Sequence, residues 1–74
     1  MSTSNDIAIF NKLFNEHYRQ FVLFAMGYIR DKAKAQDFVS DAFASYWERK
    51  ENLTTDTNAP GYILTIVKNN CLNY

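Results

Sequence analysis

Residues 34–50 read KAQDFVSDAFASYWERK, and the fold turns on how this stretch is divided between inside and outside. Ala35, Phe38, Val39, Ala42, Phe43 and Tyr46 recur at helical spacing and form one apolar stripe. The opposite side of the same helix carries Asp37, Ser40, Asp41, Ala44 and Glu48. Asp37 and Asp41 are four residues apart and therefore stacked neighbours, which costs a helix about 0.2–0.5 kcal/mol. Ser40 and Ala44 beside them are small enough to let another backbone come close. The pattern describes a helix with a well-anchored inside and an acidic, thinly covered outside. A plain solvated face is the alternative reading of that outside.

Working outward from this helix, the rest of the chain reads as two partners for it. On the N-terminal side Ser4, Asn5 or Asp6 can cap a helix. From Ile7 to Arg30 the residues Ile7, Phe10, Leu13, Phe14, Tyr18, Phe21, Phe24, Ala25 and Tyr28 keep a helical period. At about 1.5 Å per residue this first helix is roughly 35 Å long. Gly27 weakens its end by about 1 kcal/mol relative to Ala. Arg30-Asp31-Lys32 is a tight connection, with Asp31 placed to cap the second helix, and so short a link implies antiparallel neighbours.

On the C-terminal side the pattern stops after Lys50. Residues 51–58, ENLTTDTN, are polar, β-branched and rich in Asn and Asp, which is loop chemistry. Pro60 suits the first turn of a third helix capped by Asn58 or Ala59. Tyr62, Ile63, Ile66, Val67 and Cys71 form its inner stripe with Asn70 at the edge, and Thr65, Lys68, Asn69 and Asn73 fall outside. No Gly, Pro or cationic cluster stops this helix before Tyr74, so residues 1–74 are expected to be one domain from a longer chain, cut within or near the end of the last helix. The expected fold is all-α, a compact three-helix bundle with a polar loop before the last helix.

Composition narrows the function. A core drawn from 74 residues needs large apolar groups, and six Phe, five Tyr and one Trp provide them. The formal net charge is zero, which argues against a free-standing duplex-DNA reader such as a helix-turn-helix protein with a basic recognition helix. One cysteine permits no internal disulfide and fits a reducing compartment. The N-terminal sequence lacks a basic segment followed by an apolar run, and no stretch approaches the roughly 20 apolar residues of a membrane span. A cytoplasmic location is expected. His17 and Cys71 are each the only residue of their kind and lie on different helices, so no metal site is expected. His17 reads as a partly exposed helix residue and Cys71 as a small core hydrophobe. Asp37 and Asp41 lack a nucleophile or a glycine-rich phosphate loop, so no catalysis and no cofactor are expected.

The runs AQDFVSDAFASYWERKENL (35–53) and APGYILTIVKNNCLNY (59–74) together resemble region two of bacterial sigma factors, and most of all the compact extracytoplasmic-function (ECF) class. The resemblance rests on Ala35, Asp37, Phe38, Val39, Asp41, Phe43 and Trp47 in the second helix and on Tyr62-Ile63 and Lys68-Asn69 in the third. Phe14, Tyr18, Phe24 and Ala25 match the first helix of that family, and Asp31 its short connection. It covers roughly residues 7–74. Ser40 stands where the family usually has Gln, Gln36 where it has an acid, and Lys68 is alone as a cation on the third helix.

The resemblance implies a sigma factor domain that binds core RNA polymerase and helps to recognise and melt the promoter minus-ten element. Asp37, Ser40, Asp41, Ala44 and Glu48 would dock on the clamp helices of the β′ subunit. Asn52, Leu53, Thr54, Thr55, Asp56, Thr57 and Asn58 in the loop, with Lys68, Asn69 and Asn73, would contact the non-template strand of promoter DNA. Short polar side chains can hydrogen-bond the edge of an unstacked base. An ordinary connecting loop and a solvated helix face are the plainer alternatives for these two groups. Trp47 and Tyr62 read as packing residues before base-stackers. An anti-sigma factor is a further candidate partner. The competing reading from another class is a helical protein–protein adaptor with an acidic docking face and no DNA role.

Overall fold

The computed structural model describes residues 3–53 and 58–74, and these contain three α-helices and one short 3-10 turn. Helix α1 is Thr3–Met26, α2 is Lys32–Arg49 and α3 is Ala59–Leu72, and the 3-10 turn Lys50–Asn52 directly follows α2. The fold is all-α, as the periodicity predicts. Each helix packs on the other two, and α2 runs antiparallel to both neighbours.

Local chemistry sets the helix ends. Asp31 is extended at the N-cap of α2, and its Oδ1 accepts from the Lys34 N–H at 3.1 Å. Asn58 does the same for α3, accepting from the Gly61 N–H at 3.2 Å. Gly61 leaves the cap room, because a Cβ there would lie 3.2 Å from the Asn58 amide nitrogen and press on that side chain. Pro60 occupies the first turn of α3, where its missing N–H costs nothing.

The end of α1 corrects the sequence reading. The helix stops at Met26, not at Arg30. Past Gly27 the chain tightens into a turn in which the Tyr28 and Ile29 N–H groups both donate to the Ala25 carbonyl, at 2.9 and 3.0 Å. The turn tucks Ile29 into the core and leaves Tyr28, assigned above to the inner stripe, 44% exposed. Ile7 is also 44% exposed although it is in phase with the stripe. The reason is length. Helix α1 has 24 residues and α2 has 18, so the first turns of α1 overhang the end of α2. Val22, absent from the predicted stripe, is buried.

The core centres on α2. Ala35, Val39, Ala42 and Phe43 are buried, and Phe38 and Tyr46 pack at its margin. The Phe43 ring meets three rings of α1: Phe14 at 4.9 Å, Phe21 at 5.9 Å and Phe10 at 6.1 Å between centroids. Ile63, Val67 and Cys71 close the core from α3, and the Cys71 thiol points at the Ala25 carbonyl, 3.9 Å away. Trp47 lies edge-on to Phe10 at 5.1 Å and carries the Lys50 ammonium over its face at 4.7 Å. Lys50 also reaches Asp6 at 3.4 Å, fastening the overhanging end of α1 to the end of α2.

Phe43→Ala is expected to cost about 3–5 kcal/mol, because it empties the site where α1 closes on α2. Denaturant titration followed by circular dichroism measures this, and a loss below about 1 kcal/mol would mean that Phe43 does not hold the bundle together. A second expectation concerns pH. Burial raises the Cys71 thiol above its ordinary value of 9.0. The unfolded chain therefore releases this proton first, and the thiol's contribution is complete below the ordinary value and lost as pH rises through the folded one. Cys71→Ala should flatten the alkaline part of the stability–pH curve, and a mutant curve parallel to the parent's above pH 9 would contradict it.

Candidate functional site

The sequence nominates two groups of residues, and the bundle determines what each can reach. Helix α2 uses one side against α1, through Phe43 and Trp47, and Lys50 in the following 3-10 turn extends that contact. It uses another against α3, where the Asn70 amide donates to the Phe38 carbonyl at 3.5 Å and Tyr46 meets Tyr62 at 6.3 Å. What remains is an arc of roughly 100° at 3.6 residues per turn. Asp37, Ser40, Asp41, Ala44 and Glu48 fill that arc, and all five are exposed.

This face spans about three turns and carries three carboxylates with two small residues between them. None of the three is in an ion pair among the described residues, where the pairs found all involve Lys50. The face is thus acidic, unneutralised from within the described residues, and carried on a helix that cannot roll, because Ala35 and Ala42 on its other side are completely buried. A rigid acidic helix face with small residues in the middle suits a basic helical partner approaching side-on.

The second group divides in two. Asn52 is exposed in the 3-10 turn, and Leu53, half-buried, extends the backbone away from it. Thr54, Thr55, Asp56 and Thr57 lie outside the described residues. Asn58 is exposed, but its side-chain oxygen is engaged as the α3 cap. Lys68 and Asn69 are exposed on the last turns of α3, and Asn73 is exposed at its C-cap. Lys68 lies ten positions past Asn58, about 15 Å along the axis. The loop ends and the α3 trio therefore form two contact points, spaced along one helix, and not one cluster.

Several neighbours of the loop carry no local sequence signal. A groove of about 310 Å³ opens beside the 3-10 turn, lined by Asp6, Ile9, Phe10, Tyr46, Lys50 and Glu51. Asp6 and Lys50 are 44 positions apart, so only the packed bundle brings them together. Trp47 is half-buried against Phe10, in agreement with a packing role. His17 is also half-buried, stacked on Phe21 at 5.3 Å. Among the described residues no cluster of His, Cys, Asp and Glu could hold a metal ion, and no helix is long and apolar enough to cross a membrane.

The cap at Asn58 sets where the loop ends and α3 begins. Asn58→Ala should cost about 1 kcal/mol and weaken the first turn of α3 in particular. Amide hydrogen exchange should report faster exchange at Gly61 and Tyr62, with Val67 falling only as far as global stability falls. Uniform loss along α3 would show that the cap does not govern the loop's anchor.

Comparison with known proteins then adds one finding. The family model for sigma-70 region 2 matches residues 13–74, which include all of α2, the loop and α3. No characterised protein sequence and no solved structure matches the chain.

Proposed function

The chain belongs to the sigma-70 region 2 family, and from that membership we propose how its two faces divide the work of promoter recognition. Membership carries the general role: a transcription-initiation domain, not a catalytic one, that binds core RNA polymerase and recognises the promoter minus-ten element. The finer assignment is our own. Asp37, Ser40, Asp41, Ala44 and Glu48 dock on the clamp helices of the β′ subunit, with the acids paired to Arg or Lys. Ser40 and Ala44 admit the partner's backbone. The observation that carries this reading is that these five residues occupy the one arc of α2 that neither α1 nor α3 covers.

On the DNA side, the loop from Asn52 to Asn58 holds an unstacked base of the non-template strand. Lys68, Asn69 and Asn73 take neighbouring phosphates or base edges further along α3. Extruding a base costs a few kcal/mol, and contacts from a loop fixed at both ends recover it. The fixed ends are the 3-10 turn after α2 and the Asn58 cap. With zero net charge the chain supplies little counterion release. It therefore binds DNA weakly by itself, favours single strands over duplex and loses affinity as salt rises. From the resemblance of residues 35–53 and 59–74 to the ECF class of sigma factors we infer cytoplasmic work and an anti-sigma factor as a regulator.

Replacing Asp37 and Asp41 together by Lys should abolish capture by a β′ clamp-helix fragment. Stability should hardly change, because both side chains are exposed and one like-charge pair replaces another. A normally folded double mutant that still binds the fragment would remove the docking assignment. Exchanging residues 53–58 for the loop of another ECF-type factor should change which single-stranded minus-ten variants the chain prefers and leave clamp binding intact. Unchanged preference would reduce the loop to a connector, and no single-strand binding by either protein would favour the adaptor reading.

A further inference from the structure

The zero net charge conceals a segregation of charge between adjacent surfaces, and one of these surfaces has no role in the reading above. On the far side of α1 from α3, a groove of about 390 Å³ runs between α1 and the first turns of α2. Its floor is apolar: Val22 is 6% exposed, and Tyr18 and Met26 are half-buried. Leu23 stands on its edge with 62% of its surface in water, on a helix whose inner stripe it does not share. A lone exposed leucine means nothing. This one borders a concave apolar floor.

The rim has one sign. Arg19 lines the groove from α1 and Lys32 from α2, both are exposed, and neither is in an ion pair among the described residues. Gln36 also lines the groove and carries no charge, and among the described residues no carboxylate does. The two cations come from different helices, so the groove passes between them.

We propose that this α1–α2 groove is a docking site for an acidic amphipathic helix of another protein, with the partner's apolar residues on Tyr18, Val22, Leu23 and Met26 and its carboxylates on Arg19 and Lys32. Charge complementarity selects this occupant. A basic helix would meet both cations. Nucleic acid would find the cations, but the floor's one aromatic, Tyr18, is half-buried and stacked on Phe14 at 4.8 Å, which leaves its bases little ring face to stack on. A helix laid into a groove between two helices buries anchors at i, i+3 or i+4 and i+7. The site lies beyond the clamp-binding reading and does not depend on it.

The test uses the 74-residue chain and two synthetic helical peptides that share one Leu/Phe face. One peptide has glutamates flanking that face, and the other has lysines. In titrations followed by NMR, the glutamate peptide should shift the methyl signals of Val22, Leu23 and Met26, and the lysine peptide should not. Leu23→Ser should weaken binding about tenfold with unchanged thermal melting, since its side chain is exposed. The double variant R19E/K32E should lose the glutamate peptide and gain the lysine peptide, whereas R19K/K32R should retain the original preference. The R19E/K32E protein should still bind the β′ clamp-helix fragment, which separates this site from the acidic face. Equal binding of both peptides, binding that ignores the charge reversal, shifts that map elsewhere, or displacement of the peptide from these methyl groups by a short oligothymidylate would each overturn the proposal.

Discussion

Everything in this bundle depends on holding α2 from two sides at once. Phe43 is 1% exposed and receives three rings from α1, while Ile63 and Val67 from α3 are completely buried against the same core. Small residues in the same core let the helices come close: Ala25, Ala35 and Ala42 have no exposed surface at all. Large rings fill the volume, and alanines bring the backbones near. Replacing this arrangement by uniformly medium-sized side chains would loosen both contacts, because packing density and not apolarity alone gives a core one arrangement.

Gripping α2 in this way leaves it one arc that carries no structural duty. Side chains there can be chosen for a partner at almost no cost to stability. A stacked pair of aspartates is a mild defect in a helix, a few tenths of a kcal/mol, against the several kcal/mol at stake in Phe43. The same separation holds at the other end of the chain. Asn58 starts α3 with one side-chain oxygen, accepting from the Gly61 N–H. The candidate surfaces are ones that the core positions and does not consume.

How much of this could be read from the sequence differs by element, for physical reasons. Helix α2 was fully legible, because its two faces differ in every turn and Asp31 has the side chain that a cap requires. Asn58 and Pro60 marked the start of α3 in the same way. Helix α1 was less legible. It carries aromatic residues in nearly every turn, so periodicity alone ran on through Gly27 to Arg30. Only the packed chain shows that Ile29 is buried by a turn and not by a helix. The exposure of Ile7 follows from the unequal lengths of two helices, which no local pattern encodes. The clasp of Lys50 on Asp6 and Trp47 joins distant positions and left no mark in either neighbourhood. The acidic face was visible as a pattern, yet its partner came only from resemblance, since a pattern of exposed acids specifies charge and not identity.

The two surfaces of α2 also constrain each other. Gln36 lines the α1–α2 groove, and the next residue, Asp37, begins the acidic face. A helix rich in glutamate that lies between Arg19 and Lys32 meets like charge as soon as it slides toward Asp37 and Asp41. A basic helix that docks on the acids meets Lys32 and Arg19 as soon as it slides the other way. On the proposed assignments each surface excludes the other's ligand by repulsion as well as attracting its own, and specificity between partners rests on both terms. An acid at position 36 would place a negative charge on the groove wall and blur that boundary. The uncharged glutamine keeps the two fields apart over a distance of one residue.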